Sequence, residues 1–187
     1  MSPDDVLGYW FSGDDATRNA RWWKKNPETD QQIADLFADA VPRAAAGAFD
    51  GWAATPRGTL ALVILLDQVP RTIHRGDPRS WAFDAKAREI VHAALAQGVD
   101  EELPAGPERM FLYMPLMHSE RLDDQHRCCD LFRAYGEETG NTGNHDYAVQ
   151  HRDIVSRFGR FPHRNDILGR PSTEEEIAFL AEPGSSF

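Results

Sequence analysis

Apolar side chains recur in this sequence at the three- and four-residue spacing of an α-helix, and this pattern limits the fold more than any other feature. Residues 28–46 show it clearly. The apolar positions there are Ile33, Leu36, Phe37, Ala40 and Val41. This spacing places the side chains in one stripe along a helix. Because no segment alternates apolar and polar residues long enough for a half-buried strand, the sequence predicts an all-α fold.

Helix caps and stops divide the chain into about seven or eight predicted helices. These run from Ser2 to Phe11, over residues 28–46, from Thr55 to before Pro70, from Asp84 to before Gly98, from Pro107 onward, over residues 121–138 and 145–159, and from Thr173 onward. Ser2 and Thr55 each precede a proline, which is typical of a helix start, and Asp84 suits a capping position. Thr173 and Glu176 match a capping box. Short turns between the segments predict a bundle of antiparallel helix pairs.

Some segments allow a second interpretation. Pro42 lies inside the second predicted helix and is expected to kink it or end it early. The apolar run Leu60–Leu66 is also compatible with a buried strand, although the cap at Thr55 and the proline after it favour a helix. Trp22 and Trp23 are expected in the core by default, because large aromatic side chains are mostly buried.

Length and composition predict one domain over residues 1–187, with a short flexible tail after about residue 183. The 30 acidic residues exceed the 20 basic ones and give a net charge of −10. This charge disfavours nucleic-acid binding. The longest apolar run is far shorter than the roughly 20 residues of a membrane span, and the N-terminus lacks a signal-peptide pattern. We therefore expect no membrane association, a cytoplasmic location, and free thiols at the adjacent Cys128 and Cys129.

The first polar cluster is Asp67-Gln68-Val69-Pro70-Arg71, at the end of the most apolar predicted helix. A carboxylate near a helix C-terminus is disfavoured by the helix dipole, and burial adds to the cost. We therefore expect a cationic partner for Asp67, either Arg71 or an arginine from residues 157–164. The cluster serves either as a structural ion pair or as part of a functional pocket.

Two histidine clusters supply further candidate catalytic groups. His118-Ser119-Glu120 ends the apolar segment that begins at Met110, and His118 is expected to face inward. His151 shares a helix stripe with Tyr147, Ile154 and Phe158. A buried histidine is either a hydrogen-bonded core residue or a general base. The candidate catalytic residues are Asp67, His118, Glu120 and His151.

The densest cluster spans residues 157–165 and holds three arginines and one histidine without an acidic residue. Arginine forms bidentate, charge-assisted hydrogen bonds with carboxylate and phosphate groups. The segment therefore serves either to bind an anionic ligand or to hold the C-terminal part of the chain through ion pairs with Asp67, Glu120 and similar acids. The candidate ligand-binding residues are Gln68, Arg71, Arg160, His163, Arg164 and Asn165.

Motifs for metals and nucleotides are missing from the sequence. The histidines show no His-Glu-x-x-His spacing, no Cys-x-x-Cys pair is present, and neither glycine-rich nucleotide motif occurs. We expect no metal site and no cofactor.

Several motifs together resemble the bacterial family catalogued as domain of unknown function 924. They are Tyr9-Trp10-Phe11, residues 65–71, residues 111–120, His151-Arg152-Asp153 and residues 157–165. Val69 departs from the phenylalanine that such sequences often have there. The resemblance covers nearly the whole chain and implies an all-α fold related to tetratricopeptide helix pairs. It brings no activity, cofactor or catalytic residue.

Two hypotheses for function remain, and the sequence leaves open whether the chain is an enzyme. In the first, the polar clusters converge on a concave site that binds a small anionic ligand. In the second, the chain is a tetratricopeptide-like module that binds a peptide or protein partner, and the polar clusters are structural. The sequence does not indicate the oligomeric state.

Overall fold

The structure is a computed structural model, and it describes residues 1–186. Within these residues the chain forms eleven α-helices and no strand. The helices are α1 Pro3–Trp10, α2 Asp15–Trp23, α3 Pro27–Phe37, α4 Ala40–Ala45, α5 (Pro56–Val63, a π-helical segment Ile64–Gln68, then Val69–Ile73), α6 Asp84–Ala96, α7 Val99–Glu102, α8 Pro107–Met117, α9 Leu122–Thr139, α10 Gly143–Phe158 and α11 Glu174–Leu180. The all-α prediction is confirmed. Phe187, the last residue of the predicted tail, lies outside the described part.

The predicted count of seven or eight helices is wrong. The sequence pattern missed α2, a short helix that contributes no buried side chain. It also missed the one-turn helix α7. The predicted helix over residues 28–46 is two helices, α3 and α4, and Pro42 lies in the first turn of α4. A proline is tolerated there because its missing N–H would have no partner within the helix.

Pro70 does not end α5, contrary to the prediction. The helix widens before it into a π-helical turn, in which the Val69 N–H bonds to the Ile64 carbonyl five residues earlier. Such a turn inserts one extra residue into the helix. Pro70 therefore falls in the first turn of a renewed α-helical segment and removes no bond from the preceding one.

Most of the predicted caps are present. Ser2 and Thr173 each form a complete capping box, and the Thr55 side chain accepts from the Gly58 N–H. Asp84 was wrongly predicted as a cap, because Phe83 occupies that position. Its carboxylate bonds to an arginine instead, as described below.

The chain divides into two compact units. Unit 1 comprises residues 1–75 and 79–115, and unit 2 comprises residues 76–78 and those from Leu116 onward. The core of unit 1 contains the completely buried run Leu60–Leu66 of α5, so this apolar run is helical. A Cβ atom at Gly58 would lie 2.0 Å from the Trp52 carbonyl oxygen. Only glycine lets α5 approach the preceding turn this closely.

Unit 2 is built around α9 and α10, which the short turn at residues 140–142 joins into a helical hairpin. The turn lies close to α9, where a Cβ atom at Gly136 would be 3.2 Å from the Asn141 carbonyl oxygen. The core of this unit includes Ile154, Val155 and Phe161. Tyr147, predicted to share the buried stripe of α10, is 57% exposed.

Two further predictions concern the cysteines and the tryptophans. Cys128 and Cys129 are free, as expected. Both are buried, and burial raises the pKa of both thiols. Trp22 is partly buried, but Trp23 is 53% exposed, so placing Trp23 in the core was wrong. No helix within residues 1–186 is long and apolar enough to cross a membrane.

Candidate functional site

Three of the four polar clusters come together in unit 2, around the side chain of Phe161. Helix α10 carries His151 and ends at Gly159, whose φ of +70° turns the chain. Phe161 follows, and then a single 3-10 turn, Pro162–Arg164, carries His163 and Arg164. The left-handed backbone at Gly159 thus lets the chain fold back so that residues 161–164 lie near α10.

The buried ring of Phe161 is the centre of this cluster. The Arg164 guanidinium carbon lies 4.5 Å from its ring centroid. The imidazoles of His151 and His163 each lie 5.6 Å from the same centroid. Arg164 is only 7% exposed and donates a hydrogen bond of 3.0 Å to the His118 carbonyl. We call His118, His151, His163 and Arg164 the basic cluster.

His151 is a buried, neutral imidazole. Its Nδ1 lies 2.8 Å from the Tyr147 carbonyl oxygen, which can only accept, so the proton is on Nδ1 and the lone pair on Nε2. Burial lowers the pKa of His151 to about 3, and the charges of His118, Arg164 and His163 act in the same direction. The expected inward position of His151 is present, and its hydrogen-bond partner is a backbone carbonyl.

His163 is neutral for similar reasons. Burial lowers its pKa to about 4, with a further lowering by Arg164 and an opposing effect of Glu120. At neutral pH the neutral imidazoles of His151 and His163 therefore lie beside the permanent charge of Arg164. The lowered pKa values of His151 and His163 reflect a positive local potential as well as burial.

Glu120 connects the end of α8 to the C-terminal segment. Its carboxylate accepts two hydrogen bonds from Arg170, at 2.7 and 2.9 Å, and one of 2.8 Å from the Phe161 N–H. Burial raises the pKa of Glu120, but these hydrogen bonds outweigh that effect and the pKa is lowered. Glu120 thus holds the backbone of Phe161 in place.

The remaining polar residues of this segment also form internal contacts. Arg160 binds the Glu176 carboxylate with hydrogen bonds of 2.6 and 2.7 Å, and this lowers the pKa of Glu176 to about 2. Asn165 is completely buried and bonds to Ser172 and Arg170. The sequence alternative of ion pairs that hold the C-terminal part of the chain named Asp67 and Glu120 as the acids. The acid that Arg160 binds is Glu176, and Glu120 binds Arg170 instead.

The fourth cluster lies in unit 1, in the π-helical segment of α5. Asp67 is completely buried, and its carboxylate lies 3.1 Å from Arg71, which confirms the predicted cationic partner. Gln68 donates a hydrogen bond of 2.5 Å to the same carboxylate. Arg71 also binds Asp84 with two hydrogen bonds of 2.8 Å. The cluster is therefore an ion-paired network of two carboxylates and one guanidinium.

Sequence reasoning missed three residues that organise these clusters. Phe161 lies in the predicted segment 157–165 but was not among the candidate residues, although three basic side chains contact it. Arg170 follows Gly169 in an irregular segment, where no periodicity marks a buried partner. Asp84 is a carboxylate at a helix start, and this pattern is typical of caps as well as of ion pairs, so it did not identify the bond to Arg71. Within residues 1–186, no group of three or more metal-binding side chains is close enough to hold a metal ion.

The chain is similar to proteins of one bacterial family. A model of the bacterial protein family of unknown function DUF924 matches residues 6–184. The chain belongs to this family. A solved structure of a protein of unknown function from Agrobacterium tumefaciens is 37% identical to this DUF924 chain, covers 96% of each chain and superposes with a TM-score of 0.85. No curated protein matches the chain.

Proposed function

We propose that unit 2 binds a small anion, a carboxylate or phosphate group, at the basic cluster of His118, His151, His163 and Arg164. The observation that carries this proposal is the convergence of Arg164, His151 and His163 on the single ring of Phe161. Burying basic groups together is costly, because burial disfavours their charged forms. Their convergence therefore indicates a function.

An anion fits the electrostatics of the cluster. Arg164 lowers the pKa of both His151 and His163, so the potential at both imidazoles favours a negative group. The Arg164 guanidinium forms charge-assisted hydrogen bonds with such a ligand, and His151 adds one when its Nε2 takes up a proton. His118 and His163 are only partly buried, so a ligand would reach the basic cluster past these two side chains. Proton transfer through Nε2 of His151 would make the site catalytic.

The other candidate residues have supporting positions in this proposal. Glu120, Arg160 and Asn165 hold the segment that carries His163 and Arg164, through the contacts with Arg170 and Glu176. They act by positioning the basic cluster rather than by touching the ligand. Asp67, Gln68 and Arg71 belong to unit 1, and a catalytic or ligand-binding role for them stays a prediction.

A second candidate function is the tetratricopeptide-like interaction module, in which the polar clusters are structural. Two ion pairs favour it. Arg160 donates two hydrogen bonds to Glu176, and Arg170 donates two to Glu120. In this alternative the basic cluster also serves packing, and a groove on the helices binds a peptide.

Thermal shifts distinguish the two candidates. Wild-type protein is heated with inorganic phosphate, acetate, and panels of phosphorylated and carboxylated metabolites, at constant ionic strength. A ligand at a hundredfold excess over its Kd stabilises the native state by about 2.7 kcal/mol. We expect this shift in wild type and in His126→Gln, a control on an exposed face of α9, but not in His163→Gln. A shift that survives His163→Gln, or none with any anion, contradicts the proposal.

A further inference from the structure

The last residue of α2 exposes an aromatic side chain that packs on a buried ring. Trp23 is 53% exposed, yet its ring is stacked on the buried ring of Phe111, with the centroids 5.9 Å apart and the planes at 8°. Trp22 packs on the same ring at 4.9 Å, and its Nε1 donates to the Trp10 carbonyl at 2.9 Å. The exposed indole is therefore held in one orientation.

Two lysines follow this tryptophan directly. Lys24 and Lys25 are exposed, and they are two of the three lysines in the chain. Neither ammonium group has an ion-pair partner within residues 1–186. The arginines of α2 differ in this respect: Arg18 binds Asp15 and the Gly13 carbonyl, and Arg21 binds the carbonyls of Trp10 and Ser12.

The turn itself is fixed at both ends. The Lys24 N–H bonds to the Ala20 carbonyl at the end of α2. The Asn26 side chain accepts from the N–H groups of Glu28 and Thr29 at the start of α3. Trp23, Lys24 and Lys25 therefore form a preorganised surface, which we call the basic-aromatic turn.

We propose that the basic-aromatic turn is a docking surface for an acidic peptide segment of another protein, with an apolar or aromatic side chain against Trp23 and carboxylates against Lys24 and Lys25. Charge complementarity supports an acidic occupant, since these are exposed positive groups on a chain of net charge −10. Tryptophan is enriched among the residues that dominate binding energy. Preorganisation lowers the entropy lost on binding.

The size of the surface favours a short segment over a second copy of the chain. A stable interface between folded proteins buries about 800 Å² on each partner. One half-exposed indole and two lysines offer much less than that. Nucleic acid and anionic lipid, which basic and aromatic residues also bind, need many more basic contacts than two lysines supply.

A random peptide library panned on the whole protein tests this inference, with counter-selection on the Trp23→Ala and Lys24→Glu/Lys25→Glu variants. We expect enriched peptides to combine Asp or Glu with an apolar or aromatic residue. A synthetic peptide of the enriched sequence should bind each variant about tenfold or more weakly than wild type. The control is Arg127→Glu/Arg133→Glu, which changes the net charge equally at exposed positions of α9 and should bind like wild type.

Other outcomes overturn the inference. They are the absence of any peptide enriched over the counter-selection, equal loss in the α9 control, and self-association that depends on Trp23. Tight binding to phosphatidylglycerol vesicles or to a single-stranded oligonucleotide, lost in Lys24→Glu/Lys25→Glu, would assign the surface to another ligand class. Because every substituted side chain is exposed, circular dichroism should show unchanged folding of each variant.

Discussion

At the scale of single residues, the histidines of unit 2 illustrate how burial and charge act together. His151 and His163 are forced to be neutral by burial and by Arg164, which is close to both through the ring of Phe161. The free energy of protonating them must overcome both effects. The same arrangement that keeps them neutral also attracts an anion, and a bound anion would raise both pKa values.

Protonation of His163 should destabilise the protein at acid pH. Its pKa is about 4 in the folded chain against 6.5 ordinarily, so between these values the unfolded chain binds more protons. Stability is therefore lost as the pH falls from about 6.5 towards 4, by an amount on the order of 3 kcal/mol. Urea unfolding of His163→Gln across this window should show a smaller loss than wild type. An identical loss in both proteins would refute the assignment.

Glu120 should contribute more to stability than an exposed ion pair. Glu120→Gln removes the charge that Arg170 binds and weakens the contact with the Phe161 N–H, so we expect a loss of about 1–3 kcal/mol. The control is Glu175→Gln, since the pair of Glu175 with Arg157 is exposed on both sides. It should cost about 0.5 kcal/mol or less. Chemical unfolding measures the stability of both variants, and equal losses would contradict the role of Glu120 in holding Phe161 and Arg170.

Much of the site at this scale was predictable, but the pairings were not. The sequence identified His118, Glu120, His151 and the segment 157–165, because polar residues interrupt apolar helices there. It could not show that Arg160 bonds to Glu176 or that Arg170 bonds to Glu120, since partners distant in sequence leave no local pattern. The pairing of Asp67 with Arg71 was predictable because four residues separate neighbours on a helix face.

At the scale of helices, boundaries were predictable where a cap or a periodic stripe marks them. Ser2, Thr55 and Thr173 start helices as predicted. Helix α2 was missed because side-chain contacts of Trp22 and Arg21 with the Trp10 carbonyl hold it in place, and such contacts leave no local pattern. The π-helical turn before Pro70 was missed because a single inserted residue has no sequence signature.

Gly58 gives a direct test of helix packing in unit 1. Gly58→Ala would place a methyl group 2.0 Å from the Trp52 carbonyl oxygen, and the backbone must shift to admit it. We expect a loss of about 1–3 kcal/mol, as for other overpacked sites. Gly8→Ala is the control, because nothing lies within 4 Å of its Cβ position in α1. It should stabilise by up to about 1 kcal/mol. Equal unfolding midpoints for the two variants would contradict the packing.

At the scale of the whole molecule, the sequence predicts one domain, and the chain offers a direct test through its tryptophans. All five are in unit 1, at positions 10, 22, 23, 52 and 81, so tryptophan fluorescence reports on that unit alone. Far-UV circular dichroism reports on the helices of both units. A single cooperative domain requires coincident thermal transitions from the two signals, and separated transitions would show two domains.

Anion binding at the basic cluster can be observed by NMR of the histidine imidazoles. The chain has seven histidines, of which only His118, His151 and His163 belong to the cluster. We expect added phosphate or acetate, at constant ionic strength and pH, to shift the imidazole signals of these three in a saturable manner. The signals of His74, His92, His126 and His145 should stay in place. If no signal moves, or if all seven move together without saturation, the proposed site does not exist.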